Sequence, residues 1–571
     1  MDKVVDIWRV GNTGLRNPMR IHDGFKVFAE SSFVGNLHGK ENAEIPFEHL
    51  LNEKGIIKTG ATTKSDGTYA RKWRNAFVRY GLIYDSFKKG EEDLQKKLGK
   101  KDEITPFGRE FLKADTFPAV QECFLRSLSV EKEPLPGTKD YYFSPLRWLL
   151  TIMLKLEERT KSSEISRLEF ALWGQATDPR YDIDEVIDQI LDLRERRKKA
   201  TAKRKFDREE RNKRKEEGHY PYKSENFFEY CDMNMRYLRI SGVLQRKGRG
   251  LIIVPEKHLI AEKLAKATAS KKSKLEVQKV LTTMPELPTD NMKVALAVLK
   301  DLENTLKKRH IAYDISDLSL NTPNEINIAR NRLEEQLSQK KEIQYAEEQR
   351  QQWQEIADYM DLLIQGKSKR VYDDDDEKEI EIPKDETPAY LEWVLWRAAL
   401  AIDHLVNEPF EVRGFRLDSD FLPVSAAGGG RGDLYCEFDN CMVLIEVTMS
   451  TSSRQEAMEG EPVRRHVSDA VLKYHKPVYC FFIAIKVDMN TTETFRHGVW
   501  YASGEKQRLS ILPLTLAQFR KYFVNAFEKG NGQASPKQFV KLIDTCMKQR
   551  DVMETPDWIK YIDDEVEAGV Q

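Results

Sequence analysis

Asp433-Leu434-Tyr435-Cys436-Glu437-Phe438-Asp439-Asn440-Cys441-Met442-Val443-Leu444-Ile445-Glu446-Val447-Thr448 is the stretch on which the fold of the C-terminal third turns. Two short apolar runs flank Asp439-Asn440, a dipeptide suited to a two-residue hairpin loop. With that loop, the numbers of paired residues sum to 879, and Asp433 falls directly opposite Glu446. Opposed side chains in a sheet have Cβ atoms about 5 Å apart, and like charges there are destabilising. A carboxylate inside a buried strand is costly unless it is paired or bound to a metal. Mg2+ relieves both costs, because it is usually held by one or two carboxylates, waters and phosphate oxygens. Such an ion activates water and stabilises an in-line displacement at phosphorus. An arginine beside Glu446, such as Arg431 or Arg464, would relieve the same cost, and the hairpin alone does not choose between them.

Upstream of the hairpin lies a glycine-rich loop, Ala426-Ala427-Gly428-Gly429-Gly430-Arg431-Gly432. Before it, Thr387-Pro388 reads as an N-cap and first-turn proline opening a helix from Ala389 to Val406. Leu391, Val394, Leu395, Ala398 and Ala399 mark its buried side, with Glu392 next to them in the first turn. Asp433-x12-Glu446-Val447-Thr448 resembles the active-site signature of the PD-(D/E)xK nuclease superfamily. One departure matters: the signature's lysine is replaced by Thr448, which carries no positive charge. Glu461, His466 or a second metal would then share that work.

Four segments carry a narrower resemblance: Pro423-Val424-Ser425-Ala426-Ala427-Gly428, Ile445-Glu446-Val447-Thr448, Glu459-Gly460-Glu461-Pro462-Val463-Arg464-Arg465-His466 and Leu512-Pro513-Leu514-Thr515-Leu516-Ala517-Gln518-Phe519. They resemble the catalytic domain of the AlwI-type type IIS restriction endonucleases, a family that includes PleI, MlyI and the BstNBI nicking endonuclease. The nicking member shares the threonine in place of lysine, so Thr448 does not imply a dead site. The resemblance implies Glu392, Asp433, Glu446 and Glu461 as catalytic acids, with His466 assisting. It places Mg2+ (with Mn2+ able to substitute) on Asp433, Glu446 and Glu461. Only the Leu391-Glu392-Trp393 context supports Glu392. Without the family, a histidine in a basic stretch reads as ordinary surface, as do His475 and His497. Arg464 and Arg465 read equally well as phosphate contacts and as surface charges. The partners implied are double-stranded DNA, a cognate DNA methyltransferase of the same system, and either transient dimerisation through the nuclease domain or a second subunit.

The preceding sequence reads as the DNA-recognition half. Phe47 to Leu51 and Ser65 to Tyr80 form two helices around a turn at Gly55 to Gly60, with Thr68 or Ser65 as N-cap. Tyr69, Trp73, Ala76, Phe77 and Tyr80 make the apolar side of the second helix, and Arg71, Lys72, Arg74 and Arg79 project elsewhere. Gly81 sits where a helix-ending glycine belongs. Leu82 to Tyr84 and Glu103 to Thr105, joined by a charged loop, would form a wing. Further on, helices are expected at Phe143 to Leu156, Ile183 to Leu193 and Met233 to Ile240. Val243-Leu244-Gln245 and Leu251 to Val254 flank Arg246-Lys247-Gly248-Arg249-Gly250, a second hairpin with a basic tip. Between them, Arg194 to Lys215 holds 13 Lys+Arg against 4 Asp+Glu, a solvated helix or arm suited to phosphates rather than bases. A basic helix after a tight turn is how helix-turn-helix proteins enter the major groove. The candidate DNA contacts are Lys64, Arg71, Lys72, Arg74, Arg236, Arg239, Lys247 and Arg249.

The bulk properties agree with this division. Of the 571 residues, 40% are apolar and 32% charged, a globular balance for about three or four domains. The net charge of −1 hides an asymmetry: residues 1–300 hold 58 Lys+Arg against 45 Asp+Glu, and residues 301–571 hold 34 against 48. That contrast points to a polyanion partner for the first half and to a cation for the second. Six cysteines without a CxxC pair, no signal-peptide pattern and no long apolar run exclude a disulfide scaffold and a membrane protein. A bacterial cytoplasmic location follows as the expectation. The fold class expected is multidomain, α/β and mainly α. Its parts are two tandem winged-helix-like recognition subdomains (1–130 and 131–285), a helical linker (286–383) and a PD-(D/E)xK-like α/β nuclease domain (384–571). The acidic run Asp373 to Glu377 lacks the spacing and glycine of a calcium loop and reads as linker. The function expected is a type IIS endonuclease cutting at a fixed offset, with a strand-specific nicking enzyme or the large subunit of a heterodimer as the alternative. A DNA-binding regulator without cleavage and a nuclease of low specificity are the readings from other classes.

Overall fold

The computed structural model describes residues 6–569 apart from Arg16, 58–64, Tyr222, Ala267, 373–378, 384–385, Asp403, 429–430, 452–453 and Ser503. Lys64 and the acidic run from Asp373 therefore lie outside the described residues. The rest divides into two units, one within Met1–Leu337 and one built from Ser338–Tyr372 and Glu379–Gln571. The fold is mixed helical and α/β, as the sequence patterning indicates.

In the first unit the basic helix is α1, Thr68–Arg79. Trp73, Ala76, Phe77 and Tyr80 are buried, as their spacing demands, whereas Tyr69 is half-buried and Ala70 takes the inner place. Neither expected cap closes its N-terminus. Glu48 does, its carboxylate accepting from the Ser65 hydroxyl at 2.8 Å and from the Tyr69 N–H at 3.1 Å. Gly81 takes φ +76°, the left-handed turn its position called for. The two extended segments after it pair, with Thr105 N–H donating to Leu82 O and Tyr84 N–H to Glu103 O, both at 3.0 Å. The charged loop between them holds a short helix, Glu92–Leu98.

The basic run is more ordered than a solvated arm. Helix α2 (Ile183–Lys199) buries Val186, Ile187, Ile190 and Leu193, and after a three-residue break α3 (Lys203–Glu217) buries none of its side chains. Arg196 and Arg197 of α2 bind Glu210 and Asp207 of α3, the latter at 2.8 Å, so acidic residues of α3 face α2. Helix α4 (Asn226–Arg239) starts earlier than its apolar pattern indicates and leads into the hairpin β1 (Leu244–Lys247) and β2 (Gly250–Ile253). Lys247 pairs with Gly250, so Gly248-Arg249 is the tip.

The segment 286–383, expected as one linker, is divided between the units at Leu337. Its first part is integral to the first unit. Buried Arg126 donates to Asp290 at 2.6 and 2.7 Å and to Pro285 O at 3.0 Å, and Glu122 binds Arg330. Ala295, Leu299, Leu302 and Leu306 form a small core with Ile326, Ala329, Leu333 and Leu337. The connector residues are thus polar on one side and core on the other.

The second unit is built on a four-stranded sheet. Helix α5 (Thr387–Ala401) precedes the sheet and stops short of Val406; it is buried on almost every side, Trp393, Trp396 and Arg397 included. Thr387 is its first residue rather than its cap. The strands β3 (Leu434–Glu437) and β4 (Met442–Thr448) form the expected hairpin, with Leu434 opposite Ile445 and Glu437 opposite Met442. Helix α6 (Glu461–Lys473) then crosses to β5 (Val478–Ala484), parallel to β4, and β6 (Ile511–Thr515) lies parallel beyond it. Alternation along β4 sorts the faces. Val443 and Ile445 join the core containing α5, and Met442 and Leu444 join Val463, Val467 and Ala470 of α6.

Two predictions follow from the first unit. A fragment 1–285 removes Asp290 and leaves Arg126 buried without its main acid, whereas 1–337 keeps it; the longer fragment should be soluble with a cooperative melt, and the shorter should aggregate or melt far lower. Equal melting of the two would contradict the division. Asp102 is fully buried and accepts from Arg74 Nε and His38 Nδ1 at 2.7 Å and from Leu37 N–H at 3.2 Å. Breaking a buried pair costs about 3–5 kcal/mol, so Asp102→Ala should speed amide exchange throughout 68–79; unaltered exchange there would count against it.

Candidate active site

Helix α6 decides the electrostatics of this site. Its inner stripe runs Val463, His466, Val467, Ala470, so His466 is a core-facing residue that happens to be polar. Glu446 lies two positions beyond Leu444 and therefore on the α6 side of β4. The two meet: His466 Nδ1 stands 3.0 Å from Glu446 Oε1, with both residues buried. His466 Nε2 is also buried and, among the described residues, has no hydrogen-bond partner. The alternative in which Arg431 or Arg464 neutralises Glu446 is replaced by this histidine.

Asp433 sits one residue before β3, at the end of the hairpin ladder. Its carboxylate accepts from Val447 N–H at 2.8 Å, which holds it across the strand from the neighbourhood of Glu446. Burial, then the carboxylates of Glu446 and Glu392, push the Asp433 carboxyl well above the usual carboxylate range. Burial raises Glu446 as well, opposed chiefly by the bond from His466. Glu392 of α5 is buried and accepts from Ala427 N–H at 2.7 Å, joining the helix to the glycine-rich loop. Gly432 is required by space: a Cβ there would stand 2.4 Å from Glu446 Oε1 and 3.1 Å from the Tyr435 ring.

Glu461, expected among the catalytic acids, does not join the buried carboxylates. It is exposed, at the first position of α6, and pairs with Arg465 at 3.1 Å. Glu459, two residues earlier, is the acid whose charge acts on both Asp433 and Glu446. Residues 456–460 form an irregular turn leading into α6. Thr448 is buried and its hydroxyl accepts from Ser450 N–H, so no cation stands there. Arg464 donates to Gly460 O at 2.8 Å and lies over Trp500. Among the described residues no group of three or more His, Cys, Asp or Glu side chains closes a metal cage. What is present is an open carboxylate pair, the arrangement Mg2+ prefers when waters and phosphate supply the other ligands.

The expected DNA contacts are scattered over several elements of the first unit. Arg71 is exposed and binds Glu44 at 2.6 Å, and Lys72 lies over the Tyr69 ring. Arg74 is instead committed to buried Asp102. Arg236 and Arg239 are half-buried on α4, Lys247 is exposed on β1 and pairs with Glu164 at 2.9 Å, and Arg249 is at the hairpin tip.

The Gly432 contact yields a test. Gly432→Ala should fold normally, because the backbone there is unstrained, yet displace the Glu446 carboxylate. A misplacement of about 1 Å at a reacting centre costs about a hundredfold in rate. Wild-type single-turnover cleavage by the folded variant would contradict the geometry.

No curated protein matches the chain. Solved structures that resemble it include the small subunit (R.BspD6I2) of the heterodimeric restriction endonuclease R.BspD6I, 20% identical over 37% of this chain and 97% of that one, with a TM-score of 0.29. The BpuJ1 endonuclease binding domain, in complex with modified DNA, is 11% identical over 43% and 78%, with a TM-score of 0.29. Restriction endonuclease FokI is 12% identical over 94% and 98%, with a TM-score of 0.25. These superpositions are too loose to carry any part of the argument. In contrast, the family model described as AlwI restriction endonuclease matches residues 78–522, more than three quarters of the sequence and all of the acid site. The chain belongs to the AlwI restriction endonuclease family, and as a member it is a site-specific deoxyribonuclease.

Proposed function

We propose that the chain is a type IIS endonuclease, reading a short asymmetric duplex sequence with its first unit and hydrolysing phosphodiesters at a fixed offset with its second. The observation that carries the reading is the buried cluster of Asp433, Glu446, Glu392 and His466 on one hairpin and two helices. Asp433 and Glu446 would hold Mg2+, or Mn2+ in its place, with Glu459 rather than Glu461 as the adjoining acid. When bound, the ion would lower the pKa of a water and stabilise charge developing at phosphorus. His466 fixes the Glu446 carboxylate through Nδ1, and Glu392 fixes the loop that precedes Asp433 through the Ala427 N–H. We read the hairpin with its two acids as a PD-(D/E)xK-like centre with its lysine missing.

The recognition reading rests on α1 with its paired return segments and on α4 with its basic hairpin, which we take as two winged-helix-like readers. DNA is the substrate, and a cognate methyltransferase protecting the same sequence is the expected companion in a bacterial cytoplasm. No described helix is long and apolar enough to cross a membrane. One observation favours a second reading. Among the described residues the acid cluster occurs once, and a single site cuts one strand at a time. Double-strand cleavage would therefore need transient pairing of two nuclease domains or a second subunit, and without either the chain is a nicking enzyme.

Plasmid cleavage with Mg2+ tests these statements. Asp433→Ala and Glu446→Ala should each abolish cutting while leaving specific binding intact, and scission by either purified variant would refute the site. Glu459→Gln should lose about a hundredfold and Glu461→Gln little; the reverse order would restore Glu461 to the site. Dilution should slow the second cut more than the first, leaving nicked circles, and direct linearisation at every enzyme concentration would rule out transient pairing.

A further inference from the structure

We propose that Arg431 is the phosphate-binding cation of this nuclease site, engaging the scissile phosphate in place of the lysine that the strand lacks. The proposal rests on the nuclease reading above and names one more residue of that site.

Four observations lead to it. Position 448 offers only a buried threonine whose hydroxyl is engaged by Ser450 N–H. Three nearby cations already have partners. His466 Nδ1 is on Glu446, Arg465 is on Glu461, and Arg464 is on the backbone of Gly460 and Val499. Arg464 also lies over a ring, that of Trp500, but it is half-buried and anchored to the backbone at 2.8 Å, and Arg431 is not so anchored. It is exposed, and among the described residues it meets no carboxylate; its guanidinium lies over the Tyr435 ring at 5.2 Å, with one long bond of 3.4 Å to Glu411 O. Finally, Tyr435 is the wall of the acid cluster. The space at Gly432 is bounded at once by Glu446 Oε1 and by the Tyr435 hydroxyl, which accepts from Gly432 N–H at 3.2 Å. Arg431 is therefore one aromatic ring away from Glu446, two residues before Asp433.

By contrast, Arg126, Arg397 and Arg413 are each bound to carboxylates. An arginine beside a cluster of acids gains by pairing with one of them. This one is instead parked on a ring face, which orients the planar guanidinium by cation–π attraction without neutralising it. A guanidinium free of carboxylates presents a fork that matches two phosphate oxygens. Placed at the pentavalent phosphorus, it would stabilise charge on the non-bridging oxygens, as a lysine of the signature would.

The full-length protein tests this with a cognate duplex whose cut position has been mapped by end sequencing. Arg431→Ala should lower single-turnover cleavage by about a hundredfold or more, and Arg431→Lys should recover part of it. Arg431→Gln, which keeps most of the side-chain volume on Tyr435, should behave as the alanine variant does. Binding gives a second readout. In Ca2+ buffer, a neutral methylphosphonate at the scissile position should weaken the wild type and leave the affinity of Arg431→Ala unchanged. Wild-type cleavage by Arg431→Gln, or an equal loss of affinity by both proteins for the neutral duplex, overturns the proposal. Asp433→Ala measured alongside separates the two levels: if it is inactive while the Arg431 variants cut normally, the nuclease reading stands and this assignment falls. If Asp433→Ala also cuts, the nuclease site itself is misplaced.

Discussion

Two carboxylates facing each other across a hairpin are the constraint around which the second unit is organised. The ladder from Leu434–Ile445 to Glu437–Met442 leaves Asp433 at its open end, next to Glu446. In a protein selected only for stability this is a poor choice, since each acid is withdrawn from water, Asp433 is raised further by the charges of Glu446 and Glu392, and Glu446 by that of Glu459. The surrounding structure offsets part of the cost and leaves the rest. Val447 N–H binds Asp433, His466 binds Glu446, and a glycine at 432 keeps the space between them open. What remains uncompensated is negative charge directed at one place, which is the property a divalent cation needs.

Much of this was legible from residue types. The turn dipeptide Asp439-Asn440 determines the hairpin register, and the register brings the acids together without any tertiary information. His466 was legible in principle: 463, 466, 467 and 470 form a helical stripe, so the histidine belongs to the buried side rather than to the basic surface around it. The identity of the fourth acid was not. Glu459 and Glu461 flank one glycine, and the irregular turn at 456–460 that contains Glu459 has no distinct sequence mark. Arg74 fails for a related reason. Its helical position is that of a DNA contact, but its partner, Asp102, lies 28 residues away at a left-handed position no local pattern announces.

The connector shows how composition misleads about boundaries. A polar helical segment rich in Glu, Lys and Gln reads as a spacer, yet Asp290, Arg309 and Arg330 are ion-paired into the first unit, and Glu342 binds Arg413 of the second at 2.7 Å. Within the second unit, buried Arg397 joins α5 to Gln349, Gln352 and Glu355. The residues after Leu337 therefore brace the helix that carries Glu392.

The central claim is that the Asp433–Glu446 repulsion exists to be relieved by a cation. Thermal unfolding of the second unit, followed in EDTA and in Mg2+ for the wild type and for Asp433→Asn, measures this most directly. The account predicts that Mg2+ raises the wild-type transition, and that Asp433→Asn raises it in EDTA while abolishing the response to Mg2+. A wild type indifferent to Mg2+, or an Asp433→Asn protein that is less stable in EDTA, would contradict it.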